Sequence, residues 1–85
     1  MEAFLLLKMS ADKDVYGSAR SIIEQVKTLN GVVSADLLFG DYDAIVQVDL
    51  PKIHDIENLV IEELSMINGI TSSVTLLGVD NKIFE

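Results

Sequence analysis

An internal repeat constrains the fold of this chain more than any other feature of its sequence. Leu29–Val32 and Ile67–Ile70 both carry a central Asn-Gly pair, lie 38 residues apart, and are each followed by a further glycine, Gly40 or Gly78. In both copies an apolar stretch of helical period precedes the Asn-Gly pair and a strand-like run follows it. With the strand that precedes each helix, the two units predict the element order β-α-β-β-α-β.

The apolar pattern also predicts where these elements lie. The strands are expected at residues 3–9, Val32 to Phe39, Asp43 to Leu50 and Ile70 to Val79. Ser10 to Asp14 suits the start of the first helix, and Pro51 the first turn of the second. The buried stripes of the helices are expected to be Val15, Ala19, Ile22, Ile23, Val26 and Leu29, then Ile53, Ile56, Leu59, Val60, Leu64 and Ile67.

Right-handed crossovers in two such units give a four-stranded antiparallel sheet of order 4-1-3-2 with both helices on one face, an α+β fold of the ferredoxin-like type. The other face is then uncovered. Alternation along the first and third strands places large apolar side chains there as well, among them Phe4, Leu6 and Ile45. An apolar surface of that size needs a cover, and a second copy of the chain is the simplest one.

Composition narrows the possible functions. The 85 residues suffice for one domain, and an apolar content of 49% is high for so small a chain, which favours an oligomer. A net charge of −8 without any basic cluster disfavours direct binding to nucleic acid. The lack of cysteine excludes disulfides and thiolate chemistry. No apolar run is long enough for a signal peptide or a membrane span, so we expect a cytoplasmic protein without membrane contact.

The succession of motifs resembles the ligand-sensing (RAM) domain of the Lrp/AsnC feast-famine transcriptional regulators, from about residue 2 to residue 79. The resemblance rests on the helix end at Leu29–Val32, the Gly-Asp-Tyr-Asp-Ala hairpin that begins at Gly40, and the last strand with its start at Ile67–Ile70. Such domains normally follow a helix-turn-helix. Because nothing precedes Met1, we expect residues 1–85 to be a stand-alone form without a DNA-binding domain.

The resemblance also implies assembly and ligands. It implies dimers joined through their sheet faces, as in dimeric α+β barrels, and rings of dimers such as octamers. Amino-acid effectors or similar small molecules would bind at junctions between dimers, and full-length Lrp/AsnC-type regulators are candidate partners. The site residues that it implies are Gly40, Asp41, Tyr42, Asp43, Ser73 and Thr75. It implies no catalytic residue, metal or cofactor.

Some features depart from the family pattern or have simpler explanations. Asparagine precedes Gly31 and Gly69 where such proteins usually have proline, and Ser73 replaces a commoner threonine. Glycine and aspartate are favoured in any hairpin, and serine and threonine are ordinary strand residues. His54, the only histidine, is expected to be a solvated helix residue.

Three hypotheses about function follow. The chain is an oligomeric effector-binding module that regulates transcription or amino-acid metabolism, a scaffold without a ligand, or a small dimeric α+β barrel enzyme. The enzyme hypothesis is the weakest, because the strands place chiefly aliphatic side chains between the sheets. The sequence gives no role for Gly17. It predicts that Val79–Glu85, with Ile83 and Phe84, packs on this subunit or a neighbour.

Overall fold

The computed structural model of the chain describes residues 1–10 and 15–78, with the side chains of 15–18 excepted. Its elements follow the predicted order. They are strand β1 (Glu2–Met9), helix α1 (Val15–Lys27), strands β2 (Val32–Leu37) and β3 (Ala44–Asp49), helix α2 (Ile53–Asn58) and strand β4 (Ile70–Leu77). Residues 11–14, the packing of Gly17 and the C-terminal segment after Gly78 lie outside this description, so the predictions about them stay predictions.

The four strands form one antiparallel sheet in the order β2-β3-β1-β4, which confirms the predicted topology. Leu5 of β1 lies opposite Val46 of β3 and Thr75 of β4, and this register places alternate residues of β1 under the helices. The buried core combines that face with residues of both helices: Ala3, Leu5, Leu7, Ile22, Ile23, Val26, Ala35, Ala44, Val46, Val48, Leu50, Ile56, Leu59, Leu64 and Ile67. Both helices therefore cover the same side of the sheet.

The sequence repeat is also a repeat of hydrogen bonds. The N–H of Leu29 donates to the Val26 carbonyl at 3.1 Å, and 38 residues later the N–H of Ile67 donates to the Leu64 carbonyl at the same distance. Each turn then holds the end of a strand from the other half: the Gly31 carbonyl accepts from Asp49 N–H, and the Gly69 carbonyl from Ser10 N–H, both at 2.8 Å. The two halves therefore share the same backbone hydrogen bonds at their turns.

The second helix differs from its predicted form. Pro51 lies outside the helix: Lys52 is the N-cap, and its N–H donates to Asp55 Oδ2 at 3.1 Å. After Asn58 the α-helix continues as a π-helical turn, Leu59–Glu63, and a 3₁₀ turn, Leu64–Met66. The π turn can be explained by burial, because Leu59 and Leu64 are both buried although they are five positions apart in the sequence. An i→i+5 turn brings them to the same face, and Leu64 N–H donates to the Leu59 carbonyl.

Smaller corrections concern the ends of elements and one side chain. β2 stops at Leu37, and β3 begins one residue after Asp43, because the residues between them form the hairpin. The prediction that Ile53 is buried was wrong, since 47% of it is exposed at the first residue of α2. Ala19, Leu29 and Val60 are half-buried at the edge of the core.

The side of the sheet away from the helices is apolar at its centre, as predicted. Leu6 lies opposite Ile45 and Val74, and Phe4 lies opposite Leu76. We call this surface, with Phe4, Leu6, Ile45, Val74 and Leu76, the open face. Its edge strand contributes Val74 and Leu76, which are 38% and 42% exposed.

Candidate functional site

The predicted site begins at the hairpin between β2 and β3. Leu38 N–H donates to the Asp43 carbonyl at 2.8 Å and closes a loop of four residues, Phe39 to Tyr42. Gly40 has φ +151, and a Cβ added there would meet no atom within 4 Å. The loop is therefore open to solvent at its tip, where Gly40 and Asp41 are exposed.

Asp43 fastens the hairpin to the neighbouring strand β1. Its N–H donates to the Leu7 carbonyl at 2.8 Å, and its carboxylate oxygen Oδ2 accepts the Met9 N–H at 2.7 Å. The side chain thereby serves as the acceptor for a backbone N–H at the end of β1, beyond the last regular pair with β3. A hydrogen bond to a charged acceptor is worth about 1.5–3 kcal/mol. Asp43 thus stabilises the end of β1, and the sequence alone does not predict this contact.

Tyr42 forms a second link between the hairpin and β1. The Lys8 ammonium nitrogen lies 5.5 Å from the centre of the Tyr42 ring, a cation–π contact. Tyr42 is half-buried, whereas Lys8 is exposed. The contact places a positive charge beside the hairpin, where it can attract an anionic group.

Ser73 and Thr75 lie apart from the hairpin within one subunit. Ser73 pairs with Leu7 and Thr75 with Leu5, so both belong to the helix side of β4, at the edge of the sheet. β1 runs between them and β3, which places them about 10 Å from that strand at the usual spacing between strands. The structure brings Gly40, Asp41, Tyr42 and Asp43 together, but it does not bring Ser73 or Thr75 to them in one subunit.

Two features near the hairpin are not predicted by the sequence patterns. Phe39 is fully solvent-exposed, and the preceding Leu37 and Leu38 are 36% and 40% exposed. The three successive apolar residues Leu37 to Phe39 are the signal in the sequence, but the apolar pattern predicts that they belong to the strand. The second feature is a cleft between α1 and β2, whose residues come from separate parts of the chain and gave no local motif.

The described part of the chain was also compared with what a metal site, a histidine site or a membrane-spanning helix requires. In residues 1–10 and 15–78, no three His, Asp or Glu residues come together in a way that could hold a metal ion. His54 is exposed, with Nδ1 at 3.6 Å from Glu57 Oε1, as expected of a solvated helix residue. None of the described helices is long and apolar enough to span a membrane.

Comparison with known proteins agrees with this architecture. Residues 2–81 match the family model of the Lrp/AsnC ligand binding domain. An uncharacterized HTH-type transcriptional regulator of Pyrococcus abyssi is 26% identical over 78 residues, which are 92% of this chain and 51% of that protein. The chain thus spans about half the length of this curated relative.

Solved structures share the fold. A hypothetical protein from Pyrococcus horikoshii, PHS023, superposes with a TM-score of 0.76 at 25% identity, over 88% of this chain and 84% of that one. The transcriptional regulator NMB0573 from Neisseria meningitidis, solved as a complex with L-Met, superposes with a TM-score of 0.71 at 19% identity. That match covers 87% of this chain and 46% of the regulator.

Proposed function

The chain belongs to the Lrp/AsnC ligand-binding domain family, a family of regulatory and not enzymatic domains, and from this premise we propose that it is an oligomeric sensor of a free amino acid. Binding of the amino acid regulates transcription or amino-acid metabolism. The observation that carries the proposal is the family match over residues 2–81. The Neisseria regulator of the same fold, solved with L-Met, supports an amino acid as the ligand class.

The proposed site lies where hairpins of neighbouring subunits meet. The Asp43 carboxylate binds the ammonium group of the amino acid, and Gly40 lets the backbone approach the ligand closely. Ser73 or Thr75 of a neighbouring subunit binds the carboxylate, since these hydroxyls lie too far from the hairpin of their own subunit. A site shared between subunits couples ligand binding to assembly, because a ligand that prefers one assembly state stabilises that state.

The proposal includes two interfaces and no direct contact with DNA. The open face joins two subunits, and the exposed Phe39 at the hairpin tip contributes to contacts between dimers, as aromatic residues often do at interfaces. With a net charge of −8, the chain acts on transcription through a partner, such as a full-length regulator of the same family.

The test is calorimetric titration of the wild-type chain and of Asp43→Asn with the twenty amino acids. Asparagine keeps an acceptor for the Met9 N–H and removes the charge, so we expect the variant to fold and to bind about tenfold or more weakly. Asp41→Asn is the matched control, because it removes the same charge from the exposed tip of the same loop.

Two outcomes would count against the proposal. Unchanged affinity in Asp43→Asn would move the site away from the hairpin. A wild-type chain that binds none of the twenty amino acids would leave the scaffold hypothesis as the better one.

A further inference from the structure

The α1–β2 cleft, with a volume of about 340 Å³, lies between helix α1 and the edge strand β2. Its volume is at the lower end of the roughly 300–1,000 Å³ typical of small-molecule sites. Ile23, Ala35 and Leu37 form its apolar part; Ile23 and Ala35 are buried and Leu37 is 36% exposed. These three side chains form an apolar surface large enough to pack against a short aliphatic group.

Charges of both signs surround this apolar floor. Arg20 and Lys27 bring two positive charges, and Glu24 brings a negative one. Asp36 lines the cleft through its backbone only, because it pairs with Ile45 and its side chain belongs to the open face. Arg20, Glu24 and Lys27 are four and three residues apart, so they share one face of α1. Lys27 Nζ lies 3.5 Å from Glu24 Oε2, with 49% and 71% of the two side chains exposed. An exposed pair of this kind contributes little to stability, so both groups can bind a ligand instead of each other.

The edge of β2 adds backbone groups to the cleft. Leu38 N–H bonds to the Asp43 carbonyl, and in an antiparallel ladder every second residue faces the partner strand in this way. By the register of β2 with β3, Asp36 therefore directs its N–H and C=O towards β3, while Ala35 and Leu37 direct theirs outwards. The edge strand thus offers donors and acceptors beside the charged side chains.

We propose that the α1–β2 cleft binds a free amino acid with a short aliphatic side chain, at a site separate from the hairpin. Arg20 and Lys27 bind the carboxylate, Glu24 and the outward C=O groups of β2 bind the ammonium group, and the side chain packs on the apolar floor. A zwitterion matches this lining because it needs both signs of charge within a few ångströms. The inference rests on the proposed function only for the class of ligand, since the cleft lies within one subunit and needs no neighbour.

The test is an NMR titration of the ¹⁵N-labelled chain with glycine, L-alanine, L-valine and L-leucine. We expect chemical-shift changes in residues 20–27 and 35–37 that saturate with one or more of the three aliphatic amino acids. Lys27→Gln should weaken this binding about tenfold, because it removes a charged partner of the carboxylate. Lys52→Gln is the matched control; it removes the same charge from an exposed position at the start of α2 and should leave the affinity unchanged.

The outcomes separate this inference from the proposed function. Shifts confined to residues 40–43, with an affinity that falls in Asp43→Asn but not in Lys27→Gln, would overturn the cleft site and leave the hairpin site standing. Shifts confined to the cleft, with full affinity in Asp43→Asn, would support the cleft and refute the hairpin site. No saturable shift with any of the four amino acids would overturn the cleft proposal, whatever the calorimetric titration shows at the hairpin.

Discussion

Gly31 and Gly69 occupy equivalent positions in the two halves, and each is required for two reasons. Both have positive φ, +93 and +102, which residues with a side chain rarely adopt. A Cβ at Gly31 would also collide with Leu50 Cδ2, and one at Gly69 would lie 2.5 Å from Ile22 Cδ1. The Asn-Gly pairs therefore end the helices and also let aliphatic side chains of the core pass close to the turns.

Gly69→Ala should lower the free energy of unfolding by about 1–3 kcal/mol, the usual range for strained backbone positions. Part of this loss of stability comes from the contact between the new Cβ and Ile22 Cδ1. Because Ile22→Val removes that atom, Gly69→Ala should cost less stability in the Ile22→Val background. The measurement is denaturant unfolding of the wild type, both single variants and the double variant, as a double-mutant cycle. An equal loss in both backgrounds would show that the backbone alone causes it.

At the scale of elements, the sequence predicted the number, order and topology of the strands, because the repeat and the apolar alternation are local signals. It did not predict the π turn in the second helix. The apolar pattern predicts that Leu59 and Leu64 are both buried, but it does not show that an i→i+5 turn brings them to one face. The hydrogen bond between Asp43 and Met9 could not be predicted either, because it joins residues that are 34 positions apart. Local patterns determine elements, and only packing shows which side chains meet.

The π turn after α2 leads to a prediction of its own. Ile61 lies within the turn and is 68% exposed, so deleting it should turn Leu59–Glu63 into an ordinary helical turn with Leu59 and Leu64 still on one face. We expect the deletion variant to fold with stability within about 1 kcal/mol of the wild type, because a short exposed segment tolerates length changes that keep the core.

Deleting Glu24 is the matched control for this variant. Glu24 is exposed in the regular helix α1, and its loss would rotate the buried Val26 out of the core. Circular dichroism and thermal melting compare the two. If both deletions unfold the chain, the π turn is not a removable insertion.

At the scale of the whole molecule, two apolar surfaces lie at different places, and the proposed assembly uses each of them for a different interface. The open face spans the middle of the sheet, where Leu76 is 42% exposed. The hairpin tip carries the fully exposed Phe39. Because each subunit carries a net charge of −8, like-charged copies repel each other, and the proposed association depends on apolar contact.

Leu76→Asp should therefore yield monomers, since an unpaired charge buried between two sheets is costly. Phe39→Ser should leave dimers intact and remove only larger assemblies. Ile61→Asp is the control for the added charge, because Ile61 is 68% exposed in the π turn that follows α2, on the other side of the sheet. Sedimentation velocity at micromolar concentration measures all three against the wild type. Dimers that persist in Leu76→Asp would show that the open face is covered by something other than a second copy, and a wild-type monomer would refute both interfaces.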